Sequence, residues 1–366
     1  MAYENLKRAI ELEPRNRAAA RQDADVGRAM TDPLRIVSIG GGHGLSSLLA
    51  GLRPYARPTD DTHPLDITAV VTVTDDGGSS GRLRREFDVL PPGDIRNCMV
   101  ALSEDADFLS QLFQYRFSSG RGLKGHSFGN LFLTALTHIT GDFPDAVRKS
   151  AEVLKIAGRI YPSTAIDVIL EAELADGSVV RGETKISRSK KRIRSIRLHP
   201  ADVAPMRETL EAIENADLIT LGPGSLFTSV VPNLLVNGIP EAIQASQAIK
   251  VYFMNLMSQP GETIGFLASD HVQSISDHSK GNQVDVVVVN SAPISKEMIA
   301  MYAERNAAPV QNDLPRLHAM GLEVIEADLL HAVHKVRHNP AAIGSVAYDL
   351  AVRSRRHRLA KTGLRK

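Results

Sequence analysis

The chain is 366 residues long, 43% hydrophobic and 23% charged, the make-up of an ordinary globular protein with room for a large core. Its formal charge of +1 leaves no global field to favour nucleic acid or an anionic membrane. One cysteine, Cys98, excludes an intramolecular disulfide, and no apolar run reaches the roughly 20 residues of a spanning helix. The charged N-terminus lacks a signal-peptide core, so a cytoplasmic location is expected.

Residues 1–33 are expected to form an N-terminal helical extension, because Tyr3, Leu6, Ile10 and Leu12 recur near helical spacing. The folded body spans 34–350. LRIVSIG reads as a buried strand, the glycines after it as a turn, and Leu45, Leu48, Leu49 and Leu52 as one helix face. Asp66 to Thr74 is a second strand of the same continuously apolar kind. Strand, helix and strand in that order form the crossover unit of a doubly wound, mainly parallel sheet. Pro91-Pro92-Gly93 stops the next segment, and Asp94 is the expected N-cap of a helix turning Ile95, Cys98, Met99 and Leu102 inward. Further helices are expected over 107–117, from Asn130, and over 143–156. The period then changes to two. AIDVILEAELADGSVVRGETKIS reads as a hairpin turning at Asp176-Gly177, with SIRLHP as a third strand. Residues from about 160 to 200 are therefore expected to be a small antiparallel β insertion in one large α/β domain. The α/β alternation resumes with strands in ADLITL, KVYFMNLM, VDVVVVN and LEVIEADLL. Helices are expected in IPEAIQAS, SKEMIAMYAERN and AAIGSVAYDLAVRSRRHR, and a basic C-terminal tail over 351–366.

Strand ends at Gly40, Thr74, Gly222, Met257 and Asn290 lead into small or polar residues, which marks a ligand crevice at the carboxyl edge of the sheet. Gly40, Gly41, Gly42, His43 and Gly44 join a strand to a helix, where free N–H groups and the helix dipole favour phosphate. Leu45 and Ser46 stand where a dinucleotide fingerprint needs glycine and a triphosphate loop needs lysine. No nicotinamide or flavin cofactor is therefore expected, and His43 either touches the ligand or caps the helix. Asp75 and Asp76 repel each other unless a cation, hydroxyls or hydrogen bonds offset the charge. They are candidate metal ligands, for Mg2+ shared with phosphate, or acceptors for sugar hydroxyls. Gly77, Gly78, Ser79 and Ser80 follow as a flexible, donor-rich loop, ahead of a basic run at Arg82, Arg84 and Arg85.

Arg96, with Asn97 beside it, sits one turn into a helix whose positive end gives no reason for a cation, so it points to an external anion. His126 and Asn130 in GHSFGN either line the crevice or make a turn with an Asn cap. Gly222, Gly224 and Ser225 form a glycine turn with amide donors, without the G-x-S-x-G pattern of a nucleophile elbow. Ser258 to Thr263 is a similar turn. His331, His334 and His338 are spaced to share a helix face, but Lys335 and Arg337 among them favour a polar surface over a metal site. Arg337 can reach an anion, and Tyr302 can stack on a base or sugar. No residue is assigned a catalytic role.

GGGHGLSSLLAGL, VTVTDDGGSSGRLR, PPGDIRNCMVALS, GHSFGNL, ADLITLGPGSLFTSVVPNLLV, NLMSQPGET and VRHNP together resemble the YvcK family of gluconeogenesis factors. That family is related to CofD, the phospholactate transferase of deazaflavin coenzyme synthesis. The resemblance runs from about Ile36 to Pro340. It implies a Rossmann-like, CofD-like core with an inserted β element, and a homodimer. It also implies a regulator that binds a nucleotide sugar of the UDP-N-acetylglucosamine type, linking gluconeogenic growth to cell-wall precursor supply and cell shape. Cell-wall synthesis or regulatory proteins are the implied partners. Nucleic acid is not expected, the basic residues 352–366 being the feature that leans toward it. The CofD glycine loop would correspond to Gly40–Gly44 and its acidic pair to Asp75 and Asp76. His43 departs from the usual Thr of that loop, and Ser258 from the usual NLMTQ. The alternative implied is a transferase moving a phospholactyl or related group from a nucleotide donor with a divalent metal.

Overall fold

A computed structural model describes residues 32–57, 63–104, 108–332 and 334–361. The expected N-terminal extension lies outside the described residues, apart from its last two positions. Continuously apolar strands are buried on both faces and so pair in parallel under flanking helices. The first three are β1 (Leu34–Gly40), β2 (Leu65–Val71) and β3 (Arg159–Pro162). Strands β4 (Ile169–Leu174), β5 (Val179–Arg181) and β6 (Ile193–His199) make a separate antiparallel sheet in the order β5-β4-β6. The chain then returns through β7 (Leu218–Leu221), β8 (Ile249–Phe253), β9 (Val286–Asn290) and β10 (Glu323–Ala327). A short hairpin of β11 (Leu330–Ala332) and β12 (Val336–His338) precedes the last helix, Pro340–Lys361.

The main sheet has the order β10-β9-β8-β7-β1-β2-β3, and all its pairings are parallel. This is the expected Rossmann-like α/β fold with a small antiparallel insertion. Its first half winds outward from β1 through β2 to β3, and its second half winds the other way from β7. The direction of winding therefore reverses between the parallel neighbours β1 and β7, where loops from adjacent strand ends diverge and open a crevice. The Gly42–Leu52 helix packs beside the last helix at a contact of two glycines. A Cβ on Gly51 would run into the Pro340 carbonyl and lie 3.2 Å from Gly344 Cα. Apolar residues of the insertion, among them Leu170, Ala172, Ile186 and Ile196, belong to the same continuous core as the main sheet. Among the described residues, no single helix is long and apolar enough to cross a membrane.

Six local expectations are corrected. Residues 159–162 extend the main sheet beside β2, so the insertion's sheet begins only at Ile169, and its GETKIS end is a helix, Glu183–Ser187. The supposed flexible loop after Asp76 is helix from Gly78 to Phe87. Its glycine-serine start has poor propensity but is buried at Ser79, Ser80 and Gly81, so packing sets its conformation. The Phe128–Thr140 helix is capped by Ser127, whose hydroxyl accepts the Asn130 N–H at 3.3 Å. His331 and His338 lie on the two strands of a hairpin and share no helix face. The last helix, expected through Arg358, runs on to Lys361, and within the expected basic tail Arg355 is buried.

Candidate functional site

The crevice at the β1–β7 switch point has a volume of about 730 Å³. Gly41 is extended (φ −172°), and a Cβ there would come within 2.7 Å of Thr72 Cγ2 and 2.8 Å of Asp94 Oδ2. Gly42 has φ +62°, which only glycine adopts cheaply. A Cβ on Gly44 would lie 2.5 Å from the Pro223 carbonyl carbon and 2.7 Å from Gly224 N. The glycines thus let two strand-end loops press together and expose the amino end of the Gly42–Leu52 helix to the crevice, a setting that favours anions.

Of the residues singled out from sequence, Gly41, Gly42, His43, Gly44, Asp75, Gly77, Gly78, Ser79 and Ser80 line this crevice on one side. Arg96, Asn97, Asn130, Gly224, Ser225, Tyr302 and Arg337 also line it. Gly40, Asp76, His126 and Gly222 stand behind the wall. The Gly40 carbonyl accepts the Thr72 N–H at 3.0 Å, and the Gly222 N–H donates to Ile39 O at 2.9 Å. His126 Nδ1 shares a 3.0 Å hydrogen bond with the Ser79 hydroxyl. The acidic pair is split. Asp75 faces the crevice with Oδ1 accepting the Gly77 N–H at 2.8 Å, whereas Asp76 Oδ1 accepts the Thr184 N–H of the insertion at 2.9 Å. Two members of the basic run are structural, and Arg85 is exposed. Arg82 donates to the Lys124 carbonyl at 2.9 Å, and Arg84 pairs with Asp167 at 2.6 Å.

Asp94, Glu183, Arg116, Asn255 and Arg305 also line the crevice, and sequence reasoning gave none of them a place there. Asp94 was expected to cap its own helix, but that helix starts at Gly93 with Pro92 at the N-cap. Its carboxyl instead lies against the glycine loop, 2.8 Å from where a Cβ on Gly41 would stand, so it faces the amino end of the glycine-loop helix, where the Gly42 N–H favours its charge. Glu183 comes from the insertion, where the alternating pattern had suggested a strand. A cationic wall of Arg96, Arg116 and Arg337 therefore meets an acidic end of Asp75, Asp94 and Glu183. Burial, and then the charge of Asp75, push the Asp94 carboxyl up to about 7. Glu183 is raised well above the ordinary carboxylate range by burial and by Asp75, Asp94 and Asp76. Behind it, Glu262 is pushed up to about 7 by burial, though it accepts the Phe227 N–H at 3.0 Å and the Thr228 hydroxyl at 3.1 Å. His43 is held below its ordinary value by partial burial, and then by Arg337, Arg96 and Lys335. His338, whose Nε2 is 3.0 Å from the Met254 carbonyl, is pushed down to about 4 by burial. Among the described residues, no three His, Cys, Asp or Glu side chains are placed to hold a metal ion.

The folded Asp94 keeps its proton to about pH 7, whereas an ordinary Asp loses it near 3.8. The folded state therefore holds an extra proton across that window, and stability falls as pH rises through it. Asp94→Asn keeps an acceptor facing the Gly42 N–H and removes the titration. Thermal melts followed by circular dichroism should show a flatter decline from about pH 4 to 7 in the variant, and a midpoint a few degrees higher above that window. A decline as steep as the parent's would refute this assignment.

A family model described as 2-phospho-L-lactate transferase CofD matches residues 36–330. The gluconeogenesis factor of Halalkalibacterium halodurans is 49% identical over 315 residues, 86% of this chain and 95% of that protein. The gluconeogenesis factor of Bacillus subtilis is 46% identical over 317 residues, 86% of this chain and 98% of that protein. A crystal structure of a UPF0052-family protein from Bacillus halodurans is also similar, with a TM-score of 0.82 and 47% identity. It covers 86% of this chain and 99% of that one.

Proposed function

Because the chain belongs to the CofD family and is of the YvcK type, like the relatives called gluconeogenesis factors, we propose that its crevice binds a nucleotide sugar of the UDP-N-acetylglucosamine type. The observation that carries this is the two-ended crevice. Helix N–H groups, Arg96 and Arg337 suit a diphosphate, and the carboxyl groups of Asp75, Asp94 and Glu183 suit sugar hydroxyls. Tyr302 is anchored by its hydroxyl, which accepts the Val336 N–H at 3.1 Å, and with Leu256 and Met257 it offers apolar surface to a base. Mg2+ fits as an ion shared between phosphate and Asp75, the one member of the acidic pair that faces the crevice, where it would neutralise phosphate charge. Asp76 is committed to Thr184.

The protein then acts in the cytoplasm as a homodimeric regulator, reporting nucleotide-sugar supply to cell-wall or regulatory partners during gluconeogenic growth. Isothermal titration with UDP-N-acetylglucosamine, with and without Mg2+, tests the binding. Arg337→Ala should weaken it by about tenfold or more, and absence of binding to any UDP-sugar removes the proposal. Family membership also favours a second reading, a transferase using a nucleotide donor. Product analysis separates the two, since a regulator returns its ligand unchanged.

A further inference from the structure

A second cavity, of about 500 Å³, lies between the Gly42–Leu52, Gly93–Leu102 and Phe108–Gln114 helices. It shares His43, Ser47, Arg96, Asn97 and Arg116 with the crevice. Ser46, Ala50, Arg53, Val100, Ser110 and Gln114 line it without touching the crevice. Its charge is one-sided. Among the described residues, Arg53, Arg96 and Arg116 line it and no acidic residue does, whereas the crevice carries the carboxyl groups of Asp75, Asp94 and Glu183. Arg96 is only 9% exposed, and its Nε has no hydrogen-bond partner among the described residues. Its Nη2 donates to Asn97 Oδ1 at 2.7 Å. Arg116 opposes its charge while Asp94 and Asp75 favour it, and a buried guanidinium donor left unused is costly unless an anion completes it.

The remaining lining narrows the class of anion. Phosphate matches guanidinium groups through paired charge-assisted hydrogen bonds. The hydroxyls of Ser46, Ser47 and Ser110 and the amide of Gln114 suit a polyhydroxylated body, and Ala50 and Val100 give a small apolar surface for a ring face. We propose that this cavity is a second ligand site that takes a small phosphorylated sugar, drawing on the same Arg96 and Arg116 as the crevice. Two anions competing for one pair of guanidinium groups weaken each other, and the effect is reciprocal. That coupling rests on the nucleotide-sugar reading of the crevice. The site itself does not.

The test is calorimetric titration of the intact protein with glucose 6-phosphate, inorganic phosphate and unphosphorylated glucose. Two variants are compared: Ser110→Phe, which fills the second cavity only, and Arg337→Ala, which alters the crevice only. Glucose 6-phosphate should bind more tightly than phosphate, and glucose should not bind measurably. Binding of glucose 6-phosphate should weaken about tenfold or more in Ser110→Phe and stay unchanged in Arg337→Ala. UDP-N-acetylglucosamine should show the opposite pattern, with a higher apparent Kd when glucose 6-phosphate is present. Gln114→Leu, which removes an amide without adding bulk, gives a second reading if Ser110→Phe does not fold by circular dichroism, and should weaken glucose 6-phosphate severalfold. Loss of glucose 6-phosphate binding in Arg337→Ala with retention in Ser110→Phe or Gln114→Leu would place it in the crevice and overturn the proposal. Failure of the parent protein to bind either phosphate compound would overturn it too. If UDP-N-acetylglucosamine does not bind but glucose 6-phosphate behaves as expected, the crevice reading fails and the second site stands.

Discussion

Asp217→Ala should cost the fold about 3–5 kcal/mol, the largest effect expected of any single side-chain truncation considered. The Asp217 side chain is fully buried, and both its oxygens are occupied. Oδ2 accepts the Arg35 N–H at 2.9 Å and Arg355 Nη2 at 2.6 Å. Oδ1 accepts Arg355 Nε at 2.7 Å and also pairs with Arg358. The carboxylate thus ties the start of β1, the residue before β7 and the last helix together. Removing it leaves the buried Arg355 guanidinium without its counter-charge, which is why breaking such a pair costs more than the pair contributes. Urea denaturation followed by circular dichroism measures the loss. Arg353→Ala is the internal control: its pair with Glu323 is about half exposed on both sides and should matter by about 1 kcal/mol at most. Equal losses in the two variants would show that Asp217 is not the anchor described.

Gly44→Ala should uncouple binding from folding more sharply than any change to a charged residue. The new methyl group would meet only backbone of the Gly222–Ser225 loop, at Pro223 and Gly224, so no side-chain rotation relieves it. The loops must separate, at a cost of about 1–3 kcal/mol. Separation moves the helix amino end away from Gly224 and Ser225, so UDP-N-acetylglucosamine affinity should fall about tenfold or more while the protein stays folded. Gly40→Ala provides the contrast. A Cβ there would have ordinary contacts, the nearest being Leu45 Cβ at 3.6 Å, and binding should be nearly unaffected. Calorimetry beside thermal melts reads both quantities. Unchanged affinity in Gly44→Ala would mean that the contact between the two loops does not shape the site.

Much of the fold was legible because parallel strands buried on both faces have an unmistakable composition: VVVVN at β9 needs no partner to be read. What escaped depended on partners distant in sequence. GGSSG becomes helix only because Ser79, Ser80 and Gly81 are buried against other elements. The basic residues near the C-terminus looked solvated because Asp217, the partner of Arg355, is 138 positions away. The Ala268–Ser279 helix was missed because ASDHVQSISDHS offers few apolar residues for a periodic signal. The site divides in the same way. Asp75 and the glycine turn are carried by a strand end and could be read locally. Glu183 arrives from the insertion, and Asp94 lies against the glycine loop of a helix other than its own. Asp76 looked like half of a metal pair because adjacent residues in sequence were assumed to face one ligand.

The switch point also has a consequence for synthesis. β1 and its glycine loop leave the ribosome early, but the chain reaches Asp217, 182 residues beyond Arg35, before the opposite wall begins to form. Tyr302 and Arg337 come later still. A nascent chain therefore carries the glycine loop, Asp75 and Arg96 without the loops that face them. The crevice thus lacks one wall until the second half is made, unlike the second cavity, whose lining apart from Pro340 lies between His43 and Arg116. The crevice gains its full lining only after synthesis has passed Arg337, so its two walls belong to separate stages of chain growth.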